Sequence, residues 1–331
     1  YFSNKEHYNY FAYRFGQPRY LVALSFLTLM QTPQKPILDF CCGQGHITRS
    51  LLQYANPQPV IGIDRAFWGL YVAKRWIAPE GEYVCCSSEN GLPFVENTFS
   101  AVYCSDAFHY VVNKYACVQE LRRITDEGPL ILTWIHNKRV RMPHDGVSLS
   151  PDGYHALFRG LSHRIVADED VLNLYLRKEG PPLATQPETE YLNHKPLLSI
   201  VASSRQDLFH DGATFGDWPH AKGRLGLNPL YTVELDEGIS RKISLHRRFP
   251  SRFFEEDHTE CKTFLPETVE IEAQTLRDLA EGKRTPAVEP LIDHMIVLGL
   301  PENYRRAPYL TSSAPTSVET SRVTKQETLT S

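Results

Sequence analysis

The chain has 331 residues and a mass of 37.9 kDa, enough for one large domain or two smaller ones with a substantial core. Its hydrophobic content of 42% and charged content of 22% are typical of a soluble globular protein. The net charge of −4 and the pI near 6.4 argue against nucleic-acid binding through bulk electrostatics, so we predict no nucleic-acid partner.

Cysteine usage and apolar runs indicate the compartment. The seven cysteines are Cys41, Cys42, Cys85, Cys86, Cys104, Cys117 and Cys261. None forms a C-x-x-C pair, and an odd count without a secretory pattern predicts reduced thiols in the cytoplasm. The longest apolar run, residues 20–30, is too short to span a bilayer, so we predict no membrane association. Because residue 1 is Tyr rather than Met, a preceding targeting segment stays open.

The first predicted element is helical. Residues 1–16 are crowded with aromatics, and a helix candidate follows at residues 18–30. Strands and helices then alternate from residue 36 to residue 137. Short buried strands that alternate with helices predict a parallel sheet with right-handed crossovers, whose ligand crevice lies at the carboxyl ends of the strands.

A glycine-containing turn follows the first strand, in KPILDFCCGQGHITRS at residues 35–50. The strand ends in Asp39, and Gly43 and Gly45 lead into a helix-like run. Residues without a Cβ let the backbone approach a nucleoside and still turn sharply into a helix. A dinucleotide fingerprint needs a third Gly or Ala where this chain has Thr48, and an ordinary tight turn is the plainest alternative.

Further landmarks follow in order. The second strand, residues 60–63, ends in Asp64 about 20 residues past the glycines, where an acid can accept bonds from both ribose hydroxyls. A third strand, residues 82–86, leads into Ser87 and Ser88. The next segment, GLPFVENTFSAVYCSDAFHYV, contains Leu92, Pro93, Phe94 and Phe99 before the fourth strand.

Asp-x-x-x-Gly-x-Gly closing a strand resembles motif I of the class I S-adenosylmethionine-dependent methyltransferases. The run from Ser87 to Val111 resembles the same family's polar turn, Leu-Pro-Phe, Phe, strand four and aliphatic-His-aromatic segment. The resemblance covers residues 35–205 and implies S-adenosylmethionine as cofactor and an α/β fold with a Rossmann-like, doubly wound, mostly parallel sheet. The cofactor-binding residues that it implies are Asp39, Cys41, Cys42, Gly43, Gly45, Asp64, Arg65, Ser87, Ser88 and Ser105.

The chain departs from the family pattern at Ser87 and Ser88, where most relatives carry an Asp that binds the adenine amino group. A serine oxygen can accept that bond, but more weakly than a carboxylate. In many relatives an N-terminal helical segment folds over the cofactor as a lid. Tyr10, Tyr13 and Arg14 could contribute stacking and carboxylate contacts to such a lid, and the alternative is that they pack beside the sheet.

Three residues are catalytic candidates. Methyl transfer from a sulfonium is an in-line displacement, and a hydroxyl acceptor must also lose its proton. His109, just past strand four, is the first candidate for the base, and His136, at the end of strand five, is the second. Asp106 could orient either imidazole or replace it. The alternatives are packing or a cofactor contact for His109 and a strand-end cap for Asp106. No pair has convincing metal-ligand spacing, so we predict no metal.

Beyond strand five, Ser150 and Pro151 mark a helix start, residues 168–178 form a helix candidate, and residues 195–203 are a candidate closing strand. The later region contains a hairpin candidate at 231–235 and 239–245 and two helix candidates at 267–280 and 288–298. This region could cover an acceptor pocket or form a dimer contact. No core-forming pattern follows residue 311.

Four parts are therefore expected: an N-terminal helical lid at 1–34, a cofactor-binding methyltransferase domain at 35–204, an α+β accessory region at 205–306, and a disordered tail at 307–331. The resemblance implies a methyltransferase acting on a small molecule, at oxygen, in secondary or sugar-related metabolism. The alternative is a scaffold protein that kept the fold and lost the chemistry. A dinucleotide oxidoreductase is a third class, which Thr48 disfavours, and a homodimer stays open.

Overall fold

A computed structural model describes residues 4–30, 35–54, 58–125, 127–142, 146–234 and 242–304. The strands are β1 (Ile37–Phe40), β2 (Val60–Asp64), β3 (Glu82–Cys85), β4 (Ala101–Ser105), β5 (Leu130–His136), β6 (Ser162–Ala167), β7 (Leu197–Ser203), β8 (Arg224–Leu227), β9 (Tyr231–Glu234), β10 (Lys242–Arg247), β11 (Thr268–Glu272) and β12 (Val297–Leu300). Strands β1 to β7 form one sheet, β9 to β11 a second, and β8 pairs with β12.

The main sheet has the order β3-β2-β1-β4-β5-β7-β6. Strands β1 to β5 pair in parallel, and β7 lies antiparallel between β5 and β6. Because β1 has β2 on one side and β4 on the other, the strand order reverses at β1, and a ligand crevice opens at the carboxyl ends there. The Rossmann-like, mostly parallel α/β fold is thus confirmed.

The helices are α1 (Lys5–Tyr13), α2 (Pro18–Ser25), α3 (His46–Tyr54), α4 (Phe67–Val72), α5 (Lys114–Ile124), α6 (Pro151–Leu157), α7 (Asp168–Tyr175), α8 (Thr189–Asn193), α9 (Arg252–Asp257), α10 (Cys261–Phe264), α11 (Ala273–Ala280) and α12 (Glu289–Asp293). The helix candidate at 18–30 is α2 followed by a tighter 3₁₀ turn, Phe26–Leu29. The Ser150 hydroxyl accepts a bond from the Gly153 N–H and caps α6, as its position in the sequence predicts.

Two hydrophobic clusters cover the faces of the main sheet. One contains Leu121 of α5 and the β4 residue Val102. The other runs from Leu21 of α2 through Ile37 of β1 to Val297 of β12. The C-terminal region therefore shares a continuous core with the N-terminal helices and one face of the sheet, while the predicted boundary at residue 204 stays a prediction.

The C-terminal region corrects two predictions of secondary structure. The helix candidate at 267–280 is strand β11 followed by α11, since the alternation of Val269 and Ile271 with acidic residues suits a strand paired with β10. The candidate at 288–298 is α12 followed by β12, and Met295 at φ +53° reverses the chain between them.

Strand β6 has no counterpart among the sequence predictions. The hairpin prediction agrees with the antiparallel pairing of β9 and β10, whose turn lies outside the described residues. The predicted tail at 307–331 also lies outside them. Across the described residues, every helix is too short or too polar to cross a bilayer.

Candidate functional site

The turn after β1 holds three residues in the left-handed region: Cys41 at φ +58°, Gly43 at φ +55° and Gly45 at φ +78°. The Cys42 N–H donates to the Ile63 carbonyl at 2.9 Å, which joins the turn to β2. A Cβ on Gly45 would lie 2.7 Å from the Cβ of Ala73, so only glycine fits. The left-handed Cys41 costs about 1–2 kcal/mol, the kind of backbone strain found at binding sites.

Asp64 at the end of β2 organises this turn. Its Oδ2 accepts the Gly43 N–H at 2.9 Å, and its Oδ1 accepts the Ala66 N–H at 2.8 Å. A carboxylate has about four acceptor positions, so a half-buried Asp64 keeps capacity for further donors such as ribose hydroxyls. The predicted residues Gly43 and Asp64 are thus in direct contact.

Asp39 is buried behind the turn. The Thr48 hydroxyl donates to its Oδ2 at 2.6 Å, which joins β1 to α3. Burial raises the pKa of Asp39 to about 7, and the Thr48 bond opposes that rise. Thr48, which the sequence shows only as a departure from the dinucleotide fingerprint, therefore has a clear structural partner. A direct cofactor contact by Asp39 stays a prediction.

The first helix lies across the turn. The Tyr10 hydroxyl is 3.2 Å from the position that a Cβ on Gly43 would take, and the Arg14 guanidinium lies 4.9 Å from the centre of the Tyr10 ring. Tyr10 also meets the edge of the His46 ring, with centroids 5.2 Å apart. The aromatic N-terminal segment thus covers the predicted cofactor turn.

The remaining residues predicted to bind the cofactor differ in exposure and in hydrogen bonding. Arg65 and Ser87 are exposed, and the Ser87 hydroxyl accepts the Glu89 N–H at 3.3 Å. Ser105 lies at the end of β4, and its buried hydroxyl has no hydrogen-bond partner among the described residues. Sequence reasoning missed three exposed aromatics on α4, next to Asp64: Phe67, Trp68 and Tyr71.

Asp106, just past β4, connects the crevice to the N-terminal segment. Its Oδ2 accepts bonds from Arg14 at 2.8 Å and Arg19 at 3.1 Å, and Arg19 also reaches Asp257 at 3.0 Å. Burial alone would raise the pKa of Asp106, but the charges of Arg19 and Arg14 outweigh it and hold that pKa well below its usual range. Arg19 and Asp257 were missed because no local pattern marks them.

His109 and His136 form a stacked pair. Their ring centroids are 3.8 Å apart and their planes differ by 8°. His109 is fully buried, and neither of its ring nitrogens has a hydrogen-bond partner within the described ranges. Burial lowers the pKa of His109 to about 3, so its imidazole is neutral at physiological pH. The three predicted catalytic residues therefore lie together.

Asp106, His109 and His136 are also the one trio of His, Cys, Asp or Glu in the described chain whose ligand atoms lie within 4.8 Å of one another. The ring geometry argues against a shared metal ion. Imidazole lone pairs lie in the ring plane, so two parallel rings 3.8 Å apart do not direct them at one point. The Asp106 carboxylate is also already neutralised by guanidinium groups.

Parts of the chain are similar to known proteins. Residues 38–133 match a family model described as a methyltransferase domain, whereas no curated protein matches. The YcgJ protein from Bacillus subtilis is 16% identical, with 55% of this chain and 98% of that chain covered and a TM-score of 0.40. A SAM-dependent methyltransferase from Aquifex aeolicus is 15% identical, with 60% and 93% covered and a TM-score of 0.40.

The plantazolicin methyltransferase BpumL in complex with SAH is 16% identical, with 56% of this chain and 84% of that chain covered and a TM-score of 0.39. The family match includes the turn after β1, Asp64, Asp106 and His109. Together with the strand order and the turn geometry, it assigns residues 38–133 to a class I S-adenosylmethionine-dependent methyltransferase domain.

Proposed function

We propose that this methyltransferase acts on an oxygen of a small-molecule acceptor that binds at the carboxyl ends of β4 and β5. The observation that carries the proposal is His109, which is fully buried beside the crevice and has no hydrogen-bond partner for either ring nitrogen among the described residues. A buried imidazole without a partner costs about 1–3 kcal/mol, so a ligand that bonds to it is the simplest account.

The residues after β1 and β2 fit the cofactor. When bound, S-adenosylmethionine supplies an electrophilic methyl group. The left-handed turn at Gly43 lets the backbone come close to a nucleoside, and Asp64 has acceptor positions left for its ribose. Ser87 is exposed at the end of β3, where its hydroxyl could meet an adenine.

The chain's own chemical work is then to hold the acceptor and accept a proton. A hydroxyl acceptor must lose its proton as the new bond forms. His109 is neutral, and so its imidazole is in the form that accepts a hydrogen bond. Asp106 stays ionised between Arg14 and Arg19 and contributes charge rather than a proton.

The N-terminal segment serves as the lid in this proposal. Tyr10 lies against Gly43, and Arg14 links the same segment to Asp106. A lid at this position would exclude water from the reacting atoms, which methyl transfer requires. Because Tyr10 is so close to the turn, we expect α1 to move when the cofactor enters.

Calorimetry tests the cofactor part of the proposal. We expect heat from S-adenosylmethionine and none from NAD. Gly43→Val should abolish cofactor binding, because the side chain would meet both the ligand and Tyr10. Retained affinity would show that the turn is not the binding site. Binding without turnover across a panel of hydroxyl acceptors would favour the scaffold alternative.

His109→Ala tests the base. We expect turnover to fall about 100-fold or more with saturating cofactor, the usual contribution of general acid–base catalysis. His194→Ala is the matched control, because this exposed imidazole pairs only with Glu190 in the described structure. Unchanged turnover in His109→Ala would remove His109 from the mechanism. The homodimer and the cytoplasmic location stay predictions.

A further inference from the structure

The acceptor end of the crevice has more hydrogen-bond donors than its own residues use. Four side chains there have buried atoms without a partner in the described ranges: Arg14 at Nε, Arg19 at Nε, Ser105 at Oγ and His109 at both ring nitrogens. Both guanidinium nitrogens can only donate, whereas the serine and the imidazole can do both. Buried polar groups are nearly always paired, so this excess of donors fits a ligand with acceptor oxygens.

The charges around the same space are unbalanced. Arg14, Arg19 and the buried Lys114 are cationic, and Lys114 donates to the His109 carbonyl at 3.2 Å without an ion pair in the described structure. Asp106 is the interior carboxylate that pairs with Arg14 and Arg19, while Asp257 lies at the rim with a side chain 32% exposed. Buried positive charge is costly unless an anion compensates it.

Two guanidinium groups face different parts of the crevice. Arg14 lies over Tyr10, which covers the cofactor turn. Arg19 lies 5.7 Å from the ring centre of Trp134, on the β5 side of the crevice. Arg19 is thus the cation of the acceptor end.

Strand β5 is distorted where it meets Arg19. Its pairing with β7 shifts register between Leu132 and Ile135, and Trp134 within that shift has φ +56°. A left-handed tryptophan costs about 1–3 kcal/mol, and bulges that redirect a side chain are common beside active sites. The distortion places an aromatic face under the guanidinium, which fixes its orientation.

One of the three guanidinium nitrogens of Arg19 has no hydrogen-bond partner in the described structure. Its Nη1 is bound to Asp106 and its Nη2 to Asp257, and its buried Nε has no partner among the described residues. The Asp257 carboxylate lies 3.0 Å from Nη2 on the outer side of this guanidinium, so a carboxylate fits there and a ligand's carboxylate would have to take its place. Guanidinium and carboxylate groups match in planar, two-bond geometry.

We propose that the acceptor carries a carboxylate, and that Arg19 binds this group while the hydroxyl to be methylated lies near His109. The inference rests on the proposed function for the identity of the ligand as an acceptor. The proposal narrows the substrate class from small molecules with a hydroxyl group to hydroxy acids. Asp257 holds the outer side of Arg19 until the acid arrives, and Arg14 remains paired with Asp106.

The test uses matched acids and amides on the full chain with saturating S-adenosylhomocysteine. The probes are hydroxybenzoate with hydroxybenzamide and lactate with lactamide, measured by calorimetry. At least one acid should bind about tenfold or more tightly than its amide, as expected for a charge-assisted bond. If no acid binds more tightly than its amide, the proposal is wrong.

Four variants test whether Arg19 is responsible for the preference for the acid over the amide. Arg19→Gln should abolish the preference for the acid, and Arg19→Lys should restore part of it. Asp257→Asn should strengthen acid binding several-fold by freeing the outer side of Arg19, a gain that a misfolded variant could not give. Arg252→Gln is the control, because its side chain is 89% exposed and pairs with Glu256. A preference for the acid that survives in Arg19→Gln would overturn the assignment.

A carboxylate is also present in the cofactor, and a second arm separates the two sources. Affinities for S-adenosylhomocysteine and methylthioadenosine, which lacks the amino-acid part, should both stay unchanged in Arg19→Gln. If only S-adenosylhomocysteine binding weakens, Arg19 holds the cofactor and the acceptor proposal fails. If S-adenosylhomocysteine does not bind the wild-type chain, the proposed function fails, and the acid preference is then measured without it.

Discussion

The two ends of the crevice are built in different ways. At the cofactor end, the Gly43 N–H donates to the carboxylate of Asp64, 21 residues away at the end of the neighbouring strand β2. At the acceptor end, Arg14 reaches Asp106 across 92 residues, and Arg19 reaches Asp257 across 238. One end is local and made of backbone, and the other is assembled by long charged side chains from three separate segments.

Because of this difference, the two ends of the crevice constrain the amino-acid sequence to different degrees. A backbone turn in the left-handed region tolerates few residue types, so it constrains the sequence strongly. A constellation of ion pairs depends on where distant segments pack and can be replaced one side chain at a time. The backbone turn therefore carries the sequence pattern that indicates the reaction class, while the choice of substrate by the ion-paired end stays a proposal.

The largest expected effect concerns the backbone turn. Gly45→Ala should lower the free energy of unfolding by about 3 kcal/mol, because left-handed strain adds to overpacking against Ala73. Urea unfolding measures the loss. Gly160→Ala is the control, since Gly160 has a similar φ of +82° with open space around it. Equal losses in the two variants would show that the contact with Ala73 is unimportant.

The next effect concerns the ion pairs of the acceptor end. Arg14→Gln should cost about 3 kcal/mol, because it leaves a buried carboxylate with one guanidinium instead of two. Arg177→Gln, at an exposed pair with Glu179, should cost less than about 1 kcal/mol. Unfolding at low and high salt should give the same loss for Arg14→Gln, since buried pairs are screened little. A loss that disappears in high salt would contradict this account.

The same contrast explains what the sequence could predict. The alternation of strands with helices and the sharp turn follow from local signals, namely apolar bursts, glycines at fixed spacing and an acid at the ends of the first two strands. Asp106, His109 and His136 were predicted because each lies at or just past the end of a predicted strand. Their stacking and shared position depend on the parallel pairing of β4 with β5.

Other features had no local signal. Arg19 lies in an apolar helix, and nothing nearby in the sequence indicates Asp257 as its partner. The segments 268–272 and 297–300 are short apolar runs that suit either a helix or a strand until a pairing partner is known. Thr48 could be interpreted only as a missing glycine, because its bond to Asp39 depends on how α3 packs beside β1 in the folded chain.

A buried acid beside the acceptor end gives a pH-dependent prediction. Burial raises the pKa of Asp168 from 3.8 to about 8, while the Ser199 hydroxyl donates to its Oδ1. The native state therefore binds more protons than the unfolded state between about pH 4 and pH 8, so this group's contribution to stability falls as pH rises through that window.

Asp168→Asn should remove that pH dependence and keep an acceptor for Ser199. Relative to wild type, the variant should be more stable at pH 9 than at pH 5, as measured by thermal unfolding. Glu169→Gln in the same helical turn is the control, because Glu169 is exposed and its pair with Lys195 lies at the surface. A stability difference that does not change with pH would show that Asp168 is ionised throughout.

The smallest expected effect is that of metal ions on the trio Asp106, His109 and His136. Because the two imidazole planes are parallel and Arg14 and Arg19 neutralise the carboxylate, we expect no specific site for a divalent cation. Thermal unfolding with EDTA and with added Mn²⁺ or Zn²⁺ should coincide, and calorimetry should show no binding that His109→Ala removes. Saturable binding of one equivalent that is lost in His109→Ala would mean that the rings rotate to meet an ion. The acceptor end would then be a metal centre, and the contrast with the backbone-built cofactor end would need a different physical basis.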